Sequence, residues 1–244
     1  MVNTLPILLV LLVQISYIAC QEQCINGKFH KNSPGPESGQ YMECHPWKNK
    51  TCCTAAFTKE FAANQTKQLY GHDWHRCKNL SAACERFWIN QECFYQCSPY
   101  VYKWKATEGK PPMEVVKGVP ICASACDRWY QACKFDQICV ENVLADYNFT
   151  EHGENLCPKD KPCKTYEKMY GSGKALCEKM WGSSYVYTKE NSESSNCMVM
   201  WFAGQNPNRK VAFVAKHPSY AVRIDTATWI LLLAQVIAVL PLLS

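Results

Sequence analysis

Sixteen of the seventeen cysteines in this 244-residue chain fall between Cys24 and Cys197, behind an apolar opening segment. Cytosolic glutathione keeps such thiols reduced, whereas the secretory route lets them pair, so the density predicts an extracellular protein held by disulfides. The opening segment fits that route. Leu5 to Val13 is a short apolar run followed by Ile18, Ala19, Cys20 and Gln21, far shorter than the roughly 20 residues of a spanning helix. Residues 1–20 are expected to be a signal peptide; cleavage after Cys20 removes the odd cysteine and leaves sixteen, enough for eight disulfides.

A second targeting signal is expected at the other end. From Trp229 to Leu243 the chain is apolar apart from Gln235, with no basic residue behind it. Upstream, Ser219, Tyr220 and Ala221 offer a small-residue attachment site, followed by a spacer of about the 8 to 12 residues that a glycolipid (GPI) anchor signal needs. Attachment at Ser219 divides the chain into a signal peptide (1–20), a cysteine-rich domain (21–218) and a removed anchor signal (219–244). Attachment nearer Asp225, or a short transmembrane helix in place of an anchor, is the competing reading. The intervening segment, about 200 residues, is within the range of one domain, and it contains no linker-like stretch and no repeat of fixed period. The expected location is therefore the extracellular face of the plasma membrane, with a secreted form as the variant.

The formal charge of +5 includes leader and tail and excludes little by itself. No basic cluster is interleaved with aromatics, so nucleic acid is not an expected partner. Four sequons stand at Asn49, Asn64, Asn79 and Asn148, and each marks exposed surface if glycosylated. Paired cysteines leave no thiol nucleophile. No HExxH, GxSxG or phosphate-binding glycine loop occurs, so no catalytic residue is expected and a non-enzyme is the reading.

Asn79 to Ile89 and Ala123 to Lys134 carry apolar or cysteine positions at helical spacing; Cys122, Cys126, Trp129, Tyr130 and Cys133 fall on one face. Cys93 and Cys97, like Cys122 and Cys126, sit one turn apart and can send bridges to different neighbours. Zinc is the competing use of these cysteines. The spacing lacks a second CxxC or a histidine pair, so no metal is expected.

Several stretches carry a family resemblance. CFYQCSP (Cys93 to Pro99), VPIC (Val119 to Cys122), CDRWYQAC (Cys126 to Cys133), HGENLC ending at Cys157, KMWGSSY (Lys179 to Tyr185) and NPNRKVA (Asn206 to Ala212) resemble the folate receptor and riboflavin-binding protein family. The DRWYQACK, HGENLC and CEKMWGSSY blocks are closer to riboflavin-binding protein, the CMVMWF and NPN blocks to folate receptors. The resemblance implies a compact α+β domain of helices and short strands around a deep ligand pocket. It also implies the pairing: Cys24 with Cys52, Cys44 with Cys93, Cys53 with Cys97, Cys77 with Cys163, Cys84 with Cys133, Cys122 with Cys197, Cys126 with Cys177 and Cys139 with Cys157. Spacing alone does not choose that connectivity.

By the same resemblance a flat heterocycle is sandwiched between Tyr95 and Trp181, with Tyr70, Trp74, Ser184 and Tyr185 at or near the pocket. Stacking alone does not fix the ligand: about 250 Å² of ring surface at about 25 cal/mol per Å² gives roughly 6 kcal/mol, most of which association entropy consumes. Polar contacts decide, and here the chain departs from the folate pattern. The carboxylate that pairs with the pterin is replaced by Gln91, with Glu92 adjacent. The Trp-and-Arg segment that holds the folate tail aligns with Pro111, Pro112 and Val115, although Lys103, Lys105 or Lys110 could substitute. A further binding segment aligns with Leu144, Tyr147 and Phe149, and two tryptophans of the flavin branch are Val143 and Tyr147.

The implied function is a GPI-anchored vitamin-binding receptor or carrier that takes riboflavin in preference to folate as a carried ligand, with no cofactor, for capture and uptake at the cell surface. The alternative is a sperm–egg type adhesion receptor that has lost vitamin binding and recognises a cell-surface protein. Among the histidines, His72 is the one expected to feel the pocket because it stands two residues from Tyr70, and protonation there near pH 6 could loosen a ligand in an endosome.

Overall fold

The computed structural model describes residues 23–39, 41–63, 72–106, 115–190 and 196–216. The leader, the anchor segment with Ser219, and Asn64, Tyr70, Lys110, Pro111 and Pro112 lie outside the described residues. The chain begins with an antiparallel pair, β1 (His30–Gly35) and β2 (Thr51–Cys53). Helices α1 (Ala55–Ala63) and α2 (Ala82–Cys97) follow, then β3 (Val119–Cys122), which runs directly into α3 (Ala123–Cys133). The second half alternates β4 (Gln137–Ile138), β5 (Asn148–Phe149), β6 (Asn155–Leu156), β7 (Lys164–Thr165), α4 (Tyr166–Tyr170), α5 (Gly173–Lys179), β8 (Tyr185–Thr188) and α6 (Asn208–Lys216).

Every sheet among the described residues has two strands: β1–β2, β4–β7 and β5–β6 are antiparallel, and β3–β8 is parallel from Val119↔Tyr185 to Cys122↔Thr188. Ladders this small have no independent stability. The core therefore lies between helices, where Trp47, Trp88 and Trp129 are wholly enclosed. The architecture is the expected α+β one, and no helix among the described residues is long and apolar enough to cross a membrane.

Helix α2 is the central element. Ser81 caps it, its Oγ accepting from the Cys84 N–H at 3.2 Å, and Glu85 complements the dipole in the first turn. The cap is itself held, since Ser81 donates through Oγ to Asp136 at 2.7 Å. The helix ends at Cys97 because Ser98 precedes Pro99 and takes the extended conformation such residues prefer (φ −70°, ψ 125°). Sequence periodicity predicts a helix from Asn79 to Ile89; the helix instead begins after Ser81 and continues through Asn90, Gln91 and Glu92. Those three polar residues lie beyond the predicted span, and each is buried. Helix α3 matches its predicted span apart from Lys134, and Cys122 belongs to β3 rather than to the helix.

Eight disulfides fasten these elements, in the pairs named above. Three of them hold α2: Cys84–Cys133 ties it to α3, Cys97–Cys53 to β2, and Cys93–Cys44 to the turn before Trp47. Each bridge contributes about 2–4 kcal/mol, not additively, by restricting the unfolded chain. The Sγ atoms of Cys77, Cys139, Cys157 and Cys163 lie within 4.8 Å of one another, but as Cys77–Cys163 and Cys139–Cys157 they are disulfides. A metal would need thiolates there.

Cys126–Cys177 joins α3 to α5, and the two helices meet at Gly173. A Cβ at Gly173 would stand 2.7 Å from the Asp127 Cα and 2.9 Å from its backbone nitrogen. Backbone cannot yield as a flexible side chain would. Gly173→Ala is therefore expected to destabilise the ectodomain by about 1–3 kcal/mol, read as a lower midpoint in thermal melts of secreted protein; an unchanged midpoint contradicts the close approach.

Candidate functional site

A cavity of about 230 Å³ opens beside the middle of α2. Its lining comes from several separate segments. Helix α2 supplies Gln91, Glu92 and Tyr95; the turn after α5 and the start of β8 supply Trp181, Ser184 and Tyr185; the segment before β3 gives Val115 and Val116. His72, Trp74, Val143, Leu144 and Phe149 complete it.

The helical repeat explains the first group. Positions 91, 92 and 95 are successive and one turn apart, so they lie on one side of α2. The Trp181 turn is fixed from both flanks. Ser184 N–H donates to the Trp181 carbonyl at 3.1 Å, the Val119 N–H donates to the Ser184 carbonyl at 2.9 Å, and Val143 N–H donates to the Met180 carbonyl at 2.9 Å. Gly182 takes φ 59° within the turn, a left-handed conformation that glycine adopts without a Cβ penalty.

The two expected ring walls are each buttressed. Trp181 meets Trp88 edge-on, with ring centroids 5.6 Å apart, and Trp88 stacks on Trp74 at 5.2 Å. Tyr95 meets His30 edge-on at 5.6 Å, and the His30 Nε2 lies 3.3 Å from the Tyr95 carbonyl oxygen. Such contacts lock the rings before any ligand arrives. Leu144 and Phe149 stand at the opening, 41% and 52% exposed, which makes the mouth apolar.

Polar groups inside are few. The Gln91 Nε2 donates to the Tyr185 hydroxyl at 3.0 Å. Among the described residues nothing partners Gln91 Oε1, Trp181 Nε1 or His72 Nε2, although each atom is buried. Glu92 is buried and accepts a hydrogen bond from Gln96; burial pushes its carboxyl up to about 8. Burial likewise holds the Tyr185 hydroxyl protonated well above its ordinary range. No lysine or arginine lines the cavity among the described residues.

The structure places five of the expected ligand-binding residues, Tyr95, Trp181, Ser184, Tyr185 and Gln91, on the cavity. Tyr147 is not among the lining residues. It stands one layer back, packed edge-on against His72 at 5.1 Å, and its buried hydroxyl is hydrogen-bonded to Asn155 and pushed up to about 12. Tyr70 lies outside the described residues, and Lys103 and Lys105 do not reach the lining. Asn49, Asn79 and Asn148 are all exposed.

The expectation for His72 needs correction. It does line the cavity, but desolvation lowers its pKa to about 4, so it stays neutral at pH 6 and supplies no charge switch there. Glu92 was legible only as a neighbour of Gln91; its burial among Tyr185, Gln96 and the cavity wall could not be read from a polar run. That burial has a pH signature. With the folded pKa above the ordinary carboxyl value of 4.5, the native state keeps a proton that the unfolded chain releases. The resulting stability is complete below about 4.5 and is lost as pH rises through about 8. Glu92→Gln is expected to raise the thermal midpoint relative to wild type at pH 8 to 9, with the gain shrinking toward pH 5. A gain that does not vary with pH contradicts the buried neutral carboxyl.

The folate receptor family model matches residues 23–199. The chain is 35% identical to human folate receptor gamma over 192 residues, covering 78% of each chain. It is 37% identical to the riboflavin-binding protein of Gallus gallus over 204 residues, which is 83% of this chain and 79% of that one. Human folate receptor alpha is 33% identical over 225 residues, 91% of this chain and 86% of its own. With its eight-disulfide α+β framework, the chain belongs to the folate receptor family.

Proposed function

We propose that this protein is a cell-surface vitamin receptor or carrier that binds a flat, neutral heteroaromatic ligand, riboflavin in preference to folate, between Tyr95 and Trp181. The observation that carries the reading is the character of the cavity: aromatic walls, a neutral Gln91 and a buried carboxyl, and no lysine or arginine in the lining among the described residues. Relatives named folate receptor and riboflavin-binding protein support the ligand class. At about 230 Å³ the cavity is smaller than the roughly 300–1,000 Å³ of most ligand sites. It suits a ring system whose tail leaves past Leu144 and Phe149. An uncharged ribityl tail tolerates that apolar exit. A dianionic glutamate tail does not, because each charged hydrogen bond left unmade costs about 1.5–3 kcal/mol.

Calorimetry of both ligands on one ectodomain preparation tests the preference, with riboflavin expected to bind at least about tenfold more tightly. Nanomolar folate binding overturns it. Trp181→Ala and Tyr95→Ala are each expected to weaken riboflavin about tenfold or more, since a stacking partner is worth about 1–3 kcal/mol. If both variants fold and bind as wild type does, the walls lie elsewhere. Binding of neither ligand, together with adhesion of gametes to protein-coated surfaces, would replace this reading with the recognition-receptor one.

The apolar run from Trp229 to Leu243 and the small residues around Ser219 support a GPI anchor. Phospholipase specific for glycolipid anchors is expected to release the protein from expressing cells. Resistance to release combined with a cytoplasmic C-terminal tag contradicts the anchor.

A further inference from the structure

His72 and Trp74 line the cavity from a stretch that belongs to no helix or strand. No ladder sets the direction of these two side chains, so the backbone between them needs another holder. Asn155 supplies it. The Asp73 N–H donates to Asn155 Oδ1 at 2.8 Å, and Asn155 Nδ2 donates to the Asp73 carbonyl at 3.1 Å. The N–H must meet an oxygen and the carbonyl must meet an N–H, so the pair also fixes which way the amide points. Asn155 is 0% exposed, and buried bonds of this kind are costly to leave unmade.

The same residue belongs to the hairpin at the mouth. Asn155 lies in β6 directly opposite Phe149 of β5, and its side chain is hydrogen-bonded to the Tyr147 hydroxyl. Tyr147 packs edge-on against His72, and the His72 and Phe149 rings stack with centroids 6.5 Å apart. On the other flank of Asp73, Trp74 stacks on Trp88, which backs Trp181. One buried amide thus joins the segment that carries His72 and Trp74 to the hairpin that carries Phe149.

We infer that Asn155 is a positioning residue of the binding site: it is not among the lining residues, and by pairing with both backbone groups of Asp73 it sets the stance of His72 and Trp74 against Phe149. The inference rests on the proposed binding of a flat ring between Tyr95 and Trp181 and adds what holds the neighbouring lining in place. The role needs a donor and an acceptor side by side. An amide has both, a carboxylate accepts only, and a protonated carboxyl regains the donor.

Asn155→Asp is therefore expected to work in a pH-dependent way, since burial at this position pushes the introduced carboxyl up. The titratable and charged groups around it are Asp73 and Arg76, which pair at 3.7 Å, His75, whose backbone N–H donates to the Asp73 carboxyl, His72, the Tyr147 hydroxyl and the exposed Glu154. Wild type carries the same groups, so their titration cancels when variant and wild type are compared at one pH. Between pH 5 and 7 Glu92 keeps its proton and His72 stays neutral.

The test measures riboflavin affinity by flavin fluorescence quenching at pH 7 and pH 5, and, without ligand, hydrogen exchange of residues 72–76 and of α3. At pH 7 Asn155→Asp is expected to bind riboflavin about tenfold more weakly than wild type, with the deficit shrinking to about threefold or less at pH 5. Exchange over residues 72–76 is expected to be faster than in wild type at pH 7, with the gap closing at pH 5 and α3 unchanged. A merely structural role would loosen α3 as well. Binding equal to wild type at pH 7, a deficit that is the same at both pH values, or equal acceleration in α3 overturns the inference while leaving the Tyr95 and Trp181 site standing. Failure of wild type to bind riboflavin overturns both. If Asn155→Asp is not secreted, exchange of the Asp73 amide in wild type decides: protection like that of α3 is expected, and exchange as fast as in an open loop overturns the inference.

Discussion

The cavity depends on keeping Asn90, Gln91 and Glu92 buried in the middle of α2, a placement that burial energetics alone opposes. An unpartnered buried acceptor such as Gln91 Oε1 costs about 1–3 kcal/mol, and a carboxyl held away from water must stay protonated. What offsets this is covalent. Cys84–Cys133, Cys93–Cys44 and Cys97–Cys53 clamp the helix on both sides of that polar segment. Because bridges of this kind act mainly on the unfolded chain, the native interior is free to hold polar atoms that a purely hydrophobic core would exclude.

The same clamp explains why the site survives with so little regular sheet. Two-stranded ladders cannot position residues contributed from positions as far apart as His72 and Tyr185. The β3–β8 pair brings Tyr185 beside Val119, and Cys122–Cys197 fixes the far end of β3. Trp88 packs behind both Trp181 and Trp74, two lining residues, so the wall of the cavity is continuous with the core. Rigidity of this kind lowers the ordering cost of binding, so that modest ring contacts can yield useful affinity.

A disulfide-held framework and the span of α3 apart from Lys134 were legible from cysteine density and helical spacing, whereas the α+β class came from the family resemblance. The pairing of sixteen cysteines was not legible there, because spacing permits many connectivities; only the family resemblance selected the set observed. Tyr95 and Trp181 likewise came from resemblance, since a lone aromatic in a sequence does not distinguish core from site. Helix α2 was half seen. Its first turns are periodic, but the Asn90–Glu92 run breaks the apolar pattern at the place where the helix turns a polar side to a cavity. Tyr147 and His72 show the complementary limit: the resemblance brings Tyr147 near the site and proximity to Tyr70 brings His72, whereas only three-dimensional packing puts Tyr147 behind His72 and lowers the His72 pKa by desolvation to about 4.

Neutrality is what connects the parts. A pterin or a flavin can stack on the same rings, so the proposed preference rests on a lining that carries no lysine or arginine among the described residues. The most direct measurement is to purify the ectodomain from cells grown with both vitamins, release what it has carried through secretion, and identify it by mass and visible absorption. A flavin in near-stoichiometric amount is the result expected. Folate, or any ligand with an anionic tail, recovered in its place would contradict the neutral-cavity account.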